Sequence, residues 1–232
     1  MPTAPRSTAP APAPPAPAAP SLTERRKAET RLEIARAAAA LFAERGSAVT
    51  ADDIARAAGV ALRTFYRYFR TKEEAVAPLL AVGVRQWLAD LRRLAAEGDG
   101  LPVRDVLERA ARQALTPSDE RAAEALRWTR GLLRAMRDDP ALRSVWHHVH
   151  HDSEEALIPV LAGMTDGGTA EVRLAAAAAN TAMRVAVETW AADDAPEERA
   201  DDPAELVVRG MRALTAGLSG LDRRRTTTPP PV

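Results

Sequence analysis

The sequence predicts an all-α protein, and three observations lead to that prediction. Alanine, the strongest helix former, comes in runs such as Ala37–Ala40 and Ala175–Ala179. Aromatic side chains, which favour strands, make up only 4% of the residues. Apolar side chains recur at three- and four-residue spacing, the period of an amphipathic helix. Because 46% of the 232 residues are hydrophobic, the chain can also bury a sizeable core.

Several classes of protein are excluded by what the sequence lacks. The chain contains no cysteine, which excludes disulfides, thiolate zinc sites and thiol nucleophiles and fits a reducing cytoplasm. No run approaches the roughly 18 apolar residues of a membrane span, and the N-terminus lacks the apolar core of a secretory signal. There is no Gly-rich phosphate loop, no Gly-x-Ser-x-Gly and no His-Glu-x-x-His. We therefore expect a cytoplasmic protein that is not an enzyme, needs no cofactor and has no membrane partner.

Composition divides the chain into four segments. Residues 1–20 are almost wholly Pro, Ala, Ser and Thr, too poor in large apolar side chains to repay the entropy of ordering. The tail at residues 222–232 has the same character. We expect both ends to be disordered. Between them, we expect a small helical domain over residues 21–72 and a larger helical domain over residues 73–221.

Charge is distributed unevenly along the chain, although the formal net charge is zero. Residues 21–72 hold eleven Lys and Arg against six Asp and Glu, a net charge of +5, whereas residues 73–232 carry −6. A basic head on an acidic body is typical of a protein that binds nucleic acid with one end. A solvated charged face is the alternative interpretation, and charge alone does not exclude it.

The first two helices of the basic segment have recognisable ends. The apolar stripe predicts a first helix from about Glu24 to Arg45, which Gly46 ends as a C-terminal cap. Thr50 then begins a second helix, because its hydroxyl can cap the free N–H groups. Two acidic residues in the first turn of that helix favour the positive end of its dipole.

A tight turn and a short third helix follow. Ile54, Ala57 and Ala58 are expected to face inward, the two alanines allowing close approach of two helices, and Gly59 supplies the turn. Val60 fills the angle between the helices. The third helix runs from about Leu62 to Tyr68, and its inner face is buried by an apolar pair, Phe65 and Phe69.

A long fourth helix is expected to connect the two domains. Thr71-Lys-Glu-Glu74 has capping-box spacing and starts a helix that extends to about Leu94. Pro78 lies inside that helix and should bend it, so that Pro78 and Gly83 form a plausible hinge. Further helices are expected at about residues 102–115, 119–137, 140–162, 168–192 and 203–219.

The short third helix leaves an unusual set of side chains on the outside. Arginines, tyrosines and a threonine face outward or sideways on a helix too short to be stable alone. Such a surface suits a helix that inserts into the major groove of double-stranded DNA. Three helices packed for stability alone are the alternative. We interpret residues 21–72 as a helix-turn-helix DNA-binding domain.

This segment resembles the TetR family of bacterial regulators over about residues 30–80. The family pattern is a capping Thr, an Ile-Ala pair, Ala-Gly-Val, Thr-hydrophobic-Tyr-x-Tyr/His-Phe and a Lys at the next helix start. It is matched by Thr50, Ile54, Ala55, Ala58, Gly59, Val60, Thr64, Phe65, Tyr66, Tyr68, Phe69 and Lys72. The resemblance implies a ligand-responsive transcriptional regulator, typically a repressor that a small apolar effector releases from a palindromic operator.

The resemblance also implies roles for individual residues. Phosphate contacts fall on Thr50, Thr64, Tyr68 and Lys72, and Lys72 is helped by the positive end of the fourth helix. Base reading falls on Leu62 and Arg63, and Tyr66 contacts either a base or the backbone. Many relatives carry other residues at positions 61–63, so their operator sequences do not transfer to this chain.

The family implies a homodimer that binds an inverted repeat, because two heads must reach successive major grooves. The sequence offers a dimer seam at heptad-like spacing in the last two helices, at Val207, Met211, Leu214, Leu218 and Leu221 and at Leu174, Ala178, Thr181 and Val185. The alternative is that these stripes bury only against their own body.

Middle helices of the family usually surround a ligand cavity. Large apolar side chains there are candidate ligand contacts, at Trp128, Leu132, Met136, Trp146, Val149 and Met183, with Leu157 and Trp190 as further candidates. Each of them taken singly also fits a plain core residue. Thr-Phe-Tyr-Arg-Tyr-Phe, together with Asp139-Pro-Ala-Leu142 and a Trp soon after it, is weakly similar to TetR-type proteins whose C-terminal half is assigned acyl-CoA-like ligands. The resemblance covers about residues 120–220 and makes an acyl-CoA or another apolar molecule the expected effector.

The four histidines lie close together, at positions 147, 148, 150 and 151. His147 and His151 are four residues apart on one helical face, with Glu154 or Glu155 next along it, so a metal site is geometrically feasible. No motif places a third ligand, and we therefore expect no metal. A ligand-independent architectural DNA-binding protein is the rival function, although such proteins usually carry positive charge over the whole body.

Overall fold

Helices account for all the regular structure in the described part of the chain, residues 21–97, 101–193 and 202–222 of a computed structural model. In order they are α1 Leu22–Arg45, α2 Ala51–Ala57, α3 Leu62–Tyr68, α4 Ala77–Ala96, α5 Val103–Leu115, α6 Glu120–Ala135, α7 Pro140–Ala162, α8 Thr169–Ala192 and α9 Pro203–Thr215. Short 3₁₀ turns occupy Gly46–Ala48, Glu74–Val76 and Ser219–Asp222. The all-α prediction is confirmed.

Side-chain caps set the beginnings of α1 and α2. Ser21 and Glu24 form a reciprocal capping box, in which the Ser21 amide donates to Glu24 Oε2 at 2.7 Å, and this starts α1 two residues earlier than predicted. Gly46 ends the helix with a φ of +58°, a region that side chains other than glycine rarely occupy. Thr50 caps α2 as predicted, with Asp53 as its partner.

The turn between α2 and α3 confirms one prediction and corrects another. Gly59 has a φ of +66° and supplies the tight turn. Ala57, however, is exposed, and Ala55 is the alanine that is buried beside Ile54. The reason is helical phase: Ile54, Ala55 and the half-buried Ala58 set the centre of the buried face, and Ala57 lies on the other side of Ile54 from that centre, turned toward solvent. Val60 packs against this core, and its amide donates to the Ala55 carbonyl at 2.9 Å.

The start of α4 differs from the prediction. Thr71 Oγ1 accepts from the Glu74 amide at 3.2 Å, but the returning carboxylate of Glu74 binds the Arg70 amide at 2.9 Å, so the capping box is incomplete. A 3₁₀ turn follows, and the α-helix begins only at Ala77. Pro78 therefore lies in the first turn of α4, where its missing N–H costs no helical hydrogen bond. The predicted bend at Pro78 was wrong, and the hinge argument built on it loses its support.

The body is a set of packed helices, of which α4 and α6 contact α1 of the head. Helix α8 packs along α7 and α9, and α5 lies between α4 and α9. Helix α6 contacts α1 on one side and α8 on the other. The contact with α1 is close: a Cβ added at Gly131 would lie 2.7 Å from the Cβ of Ala43. Glycine is therefore needed at position 131 for this approach of α6 to the head.

Arginines of α6 and the residues after it hold the end of α8. Guanidinium groups donate to its last backbone carbonyls: Arg130 to Asp193 at 2.9 Å, Arg134 to Ala191 at 3.1 Å, and Arg137 to Ala192 at 2.6 Å. Cations next to free carbonyls are favourable at the negative end of a helix dipole. Helix α6 is thus fixed both to the head and to the C-terminal end of α8.

The two ends of the chain lie mostly outside the described residues. The predicted arm at residues 1–20 and all of the predicted tail beyond Asp222 are in this category. Asp222 itself was assigned to the tail, but it ends a 3₁₀ turn and pairs with Arg104 at 3.0 Å. Arg104 also donates to the Thr215 carbonyl at 3.1 Å, so the turn at residues 219–222 is held to α5.

Candidate DNA-reading surface and effector cavities

Helix α3 places a polar face over a buried aromatic anchor. Phe65 is completely buried, and its ring lies 5.7 Å from the ring of Phe69, which is 3% exposed. Leu62 is 39% and Tyr66 55% exposed, and Arg63 is exposed between them along the chain. The predicted reading residues therefore share the outer side of α3, on a helix that its own core holds in place.

Thr50 and Lys72 lie beside the connection between α1 and α2. The Thr50 hydroxyl accepts from the Asp53 amide at 3.1 Å and donates to Asp53 Oδ2 at 2.6 Å. These hydrogen bonds from the Thr50 side chain and backbone lower the pKa of the Asp53 carboxyl. Lys72 Nζ donates to the Ser47 carbonyl at 2.7 Å and lies 5.6 Å from the Phe42 ring centre. Thr50 is exposed and Lys72 is half-buried.

The other two residues predicted to contact DNA phosphates are only partly accessible to solvent. Thr64 and Tyr68 are half-buried, and the Arg67 guanidinium lies 5.2 Å from the centre of the Tyr68 ring. Arg67 was not among the predicted contact residues, yet it is exposed one turn after Arg63 on the same helix. The four-residue spacing of these arginines was the signal that could have identified it.

Most of the predicted ligand contacts are ordinary core residues. Five of the six are buried in the body, and Trp128 is half-buried. Only Met136 and Trp146 come together at a cavity, of about 260 Å³, which we call the α6–α8 cavity. Its other apolar lining residues are Leu133, Ala191 and Ala192, and its polar ones are Arg137, Arg143, His147 and Glu188. Trp128, Leu132, Val149 and Met183 do not line it.

Two further cavities lie on the described body, and the sequence did not point to either. A groove of about 630 Å³ lies between α4, α5 and the start of α6, with a mixed lining that includes Gln86, Asp90, Arg93, Gln113 and Leu126. A cleft of about 420 Å³ lies between α4 and the end of α7, beside Arg92, Pro159 and Met164. Helix α6 therefore borders two of these three spaces.

A buried polar group lies behind the α6–α8 cavity. The His150 ring is 4.1 Å from the Trp146 ring, centre to centre, and His150 Nδ1 lies 3.1 Å from Asn180 Oδ1. Since the amide oxygen accepts, Nδ1 carries the proton. Burial lowers the pKa of His150 to about 4, although the hydrogen bond to Asn180 opposes this shift. His150 is therefore neutral near pH 7.

Acidification should destabilise the protein through His150. The unfolded group has a pKa of 6.5 and the folded group about 4, so between these values the unfolded chain binds more protons and stability falls as the pH falls. The histidine contribution is absent above pH 6.5, and the expected loss at pH 4.5 is about 2–3 kcal/mol. The measurement is urea unfolding of the wild type and His150→Gln at pH 7.5 and 4.5, which cancels the carboxylates common to both.

His148→Gln is the matched control for that measurement, because the His148 side chain is 76% exposed. It should keep the wild-type dependence on pH. An identical loss of stability in the wild type and in His150→Gln between pH 7.5 and 4.5 would contradict the assignment to His150.

The other histidines face solvent. His147, His148 and His151 are exposed, whereas His150 points into the body. Within residues 21–97, 101–193 and 202–222, no cluster of three or more His, Asp or Glu side chains has the geometry to hold a metal ion.

The residues of the predicted dimer seam fall into two groups by burial. Val207, Met211 and Leu221 are completely buried in their own body, because α9 packs its main apolar face against α8 and α5. These three residues are not free to form an interface, and that part of the prediction was wrong. Leu174 and Val185 on α8 and Leu214 on α9 remain 59%, 45% and 47% exposed. We call these exposed apolar side chains of α8 and α9 together the α8/α9 face.

A head with an exposed polar face on α3 and a helical body defines a class of protein: one with a helix-turn-helix DNA-binding domain. Residues 34–77 match the family described as "Bacterial regulatory proteins, tetR family". These residues form a tetR-type DNA-binding domain, and the described chain has the fold of TetR-family transcriptional regulators.

Solved structures support the fold assignment over most of the chain. A TetR-family regulator from Rhodococcus sp. covers 80% of this chain and 98% of its own length at 17% identity, with a TM-score of 0.51. The TetR-family repressor AlkX from Dietzia sp. strain DQ12-45-1b covers 83% of this chain and 97% of its own length at 20% identity, with a TM-score of 0.53. The fatty acid degradation regulator FadR from Bacillus halodurans covers 82% of this chain and 97% of its own length at 19% identity, with a TM-score of 0.51. A search of curated proteins found no match to this chain.

None of the helices in the described ranges has the length and apolar character needed to cross a membrane.

Proposed function

We propose that this chain is a cytoplasmic, ligand-responsive repressor that binds an inverted-repeat operator as a homodimer and is released by a small apolar effector. The observation that carries the proposal is the outer side of α3: Arg63 and Tyr66 are exposed above the buried Phe65, within the segment that matches the tetR family. A regulator of this kind performs no catalysis and needs no cofactor.

The DNA contacts divide into two groups. Leu62 and Arg63 lie at the N-terminal end of α3, the end that reaches base edges in a helix-turn-helix, with Tyr66 one turn on. Thr50, Thr64, Tyr68 and Lys72 are assigned to phosphates. Lys72 already binds the Ser47 carbonyl, so its ammonium group is held in place before DNA arrives.

This division predicts different outcomes for two substitutions. Arg63→Ala should cost about 1–3 kcal/mol of binding and relax preference at one base position in each half-site, because it removes a donor pair from a base edge. Lys72→Ala should lower the affinity for all DNA sequences alike, and it should reduce the dependence of that affinity on salt by the equivalent of about one phosphate contact. The measurement is fluorescence anisotropy over a panel of single-base operator variants at several salt concentrations.

The operator for that panel comes from selection of the preferred site out of random duplex DNA. The selected site should be an inverted repeat whose half-sites lie about 34 Å apart. A reversal, with Lys72→Ala changing sequence preference and Arg63→Ala changing only overall affinity, would show that the roles are exchanged. Binding without any sequence preference would instead favour the architectural function.

Homodimerisation is assigned to the α8/α9 face. Its exposed apolar side chains include Leu174, Val185 and Leu214, and an apolar surface that two such helices present is a candidate for a protein–protein interface. The half-buried Ala178 and Thr181 continue the stripe on α8. Two such helices from each subunit would form a four-helix interface.

Sensing is supported by the cavities and by the charge of the body. The described body offers the α6–α8 cavity and other cavities, and residues 73–232 carry a net charge of −6. An architectural protein needs no cavity and usually spreads positive charge over its whole surface. These two features favour a ligand-responsive regulator.

Coupling between effector and DNA is assigned to α6. It borders the α6–α8 cavity through Leu133 and Met136, and it contacts α1 of the head where Gly131 meets Ala43. An effector that prefers the arrangement with low DNA affinity by about 3 kcal/mol per dimer weakens operator binding more than a hundredfold.

An apolar effector should release the protein from its operator, and acyl-CoAs of graded chain length are the first compounds to test. Operator binding is titrated in their presence with the wild type, Trp146→Ala and Met183→Ala. Trp146 lines the α6–α8 cavity and Met183 does not, so only Trp146→Ala should reduce the response. Operator affinity that is unchanged at every chain length would remove the acyl thioester from the proposal, and a full response in Trp146→Ala would place the effector elsewhere.

A further inference from the structure

The α6–α8 cavity combines an apolar interior with two cations. Leu133, Met136 and Trp146 supply apolar surface, and the guanidinium groups of Arg137 and Arg143 line the same space. Both arginines are exposed at its edge. Such a site suits a ligand with an apolar chain and one charged end.

The two arginines keep unused capacity for an anion. Arg137 donates to the Ala192 carbonyl at 2.6 Å, and Arg143 donates to the Arg137 carbonyl at 3.4 Å. Among the described residues, no carboxylate forms an ion pair with either guanidinium. Each guanidinium has five N–H donors, so several remain for a ligand.

The acidic residue of the cavity lining, Glu188, already has a cationic partner. Glu188 Oε1 accepts from Trp146 Nε1 at 2.7 Å, and its Oε2 accepts from Arg184 at 2.9 Å. The Arg184 guanidinium compensates its charge, and the neutral indole N–H of Trp146 contributes a hydrogen bond only. Among the described residues, the uncompensated charge at the edge of the cavity is therefore positive, from Arg137 and Arg143.

We infer that the α6–α8 cavity binds an amphipathic anion: an aliphatic chain beside Leu133, Met136 and Trp146, with its anionic end on Arg137 and Arg143. A volume of about 260 Å³ is slightly below the range of drug-sized ligand pockets. The enclosed part of the ligand is therefore a medium-length chain. The inference rests on the proposed function only in taking this ligand to be the effector.

The position of Arg137 links this ligand to regulation. Its guanidinium binds the carbonyl of Ala192, the last residue of α8, next to α6, and α6 contacts the head at Gly131. An anion that binds the remaining N–H groups of Arg137 shares this guanidinium with the Ala192 carbonyl, and its charge-assisted hydrogen bonds are the stronger ones. Ligand binding is thereby coupled to the attachment of α6 to α8.

The test is isothermal titration calorimetry of the full chain, without DNA, against octanoate, 1-octanol, octylamine and octanoyl-CoA. Octanoate should bind at least about tenfold more tightly than 1-octanol, and octylamine should bind most weakly. Arg137→Gln and Arg143→Gln should each lower the affinity for octanoate about tenfold and change the affinity for 1-octanol by no more than about twofold. Leu133→Trp, which fills the cavity, should lower the affinity for both compounds.

Arg121→Gln is the matched control, because Arg121 is an exposed arginine of α6 that lies outside the cavity lining. It should leave all affinities unchanged. Arg143→Gln guards against a folding effect, since Arg143, unlike Arg137, does not hold α8. The natural ligand is an acyl thioester if octanoyl-CoA binds more tightly than octanoate and depends on both arginines in the same way. It is a free acid if octanoate binds more tightly.

Three results would overturn the inference: no binding of octanoate or octanoyl-CoA at millimolar concentration, equal affinities for octanoate and 1-octanol, or unchanged octanoate affinity in both arginine variants. The proposed function is tested separately, by measuring operator affinity in the presence of the same compounds. Octanoate that binds without releasing DNA leaves the anion site standing and contradicts its role as effector. Release of DNA by another compound, with no octanoate binding, contradicts only the anion site.

Discussion

The double variant Val185→Glu/Leu214→Glu is expected to be monomeric and to bind the operator about 10²–10⁴-fold more weakly than the wild type. Both side chains are nearly half exposed on the α8/α9 face, so each carboxylate is placed at the proposed interface without disturbing the core of its own body. Two pairs of like charges would then be buried against each other in the dimer. Operator affinity falls because each head must bind its half-site without the other.

Sedimentation velocity measures the oligomeric state, and fluorescence anisotropy on the palindromic duplex measures affinity. Val82→Glu is the matched control, since Val82 is 38% exposed on α4, away from α8 and α9. It should remain dimeric. A double variant that stays dimeric, or a monomer with wild-type operator affinity, would show that the α8/α9 face is not the functional interface.

Truncation of the anchor under the recognition helix is expected to have the largest effect on stability. Phe65→Ala should lower the free energy of unfolding by about 3–5 kcal/mol. The side chain is fully buried, and its ring is 5.7 Å from Phe69 and 5.4 Å from Tyr66, so alanine leaves a cavity between α3 and the rest of the head. Helix α3 spans only Leu62–Tyr68 and cannot remain helical without this packing. Operator binding should therefore be lost together with stability.

Urea unfolding followed by circular dichroism measures this loss, with Tyr66→Ala as the control. Tyr66 is 55% exposed on the same helix, so its truncation should change the free energy of unfolding by only about 0.5 kcal/mol while it still weakens operator binding. If Phe65→Ala is as stable as Tyr66→Ala, α3 is not held by its aromatic anchor.

Local features of the head could be predicted because they depend on neighbours along the chain. The Thr50 cap pairs with Asp53 three residues on, the left-handed turn needs Gly59, and the Phe65 to Phe69 spacing sets the buried side of α3. Each depends on side-chain type and helical period alone. Even here the period left an ambiguity of phase, since Ala55 is buried where Ala57 was expected.

The candidate effector site could be predicted only in part. Large apolar residues of the middle helices were correctly expected inside the body, but the sequence does not distinguish a side chain that lines a cavity from one that fills the core. Met136 and Trp146 line the α6–α8 cavity, whereas Leu132 and Met183 do not. The arginines that give the cavity its charge, Arg137 and Arg143, follow no motif, because they meet only after α6, α7 and α8 have packed.

The sequence by itself determined the fold class, the helix-turn-helix and the residues that α3 exposes, because helical period and capping are encoded within a few residues. The tertiary structure alone decided which apolar stripes are free. Val207 and Met211 have the spacing of an interface and are completely buried by α8 and α5, whereas Leu214 on the same helix stays 47% exposed. A periodic stripe shows that one face of a helix is apolar, but the partner of that face depends on helices distant in the chain.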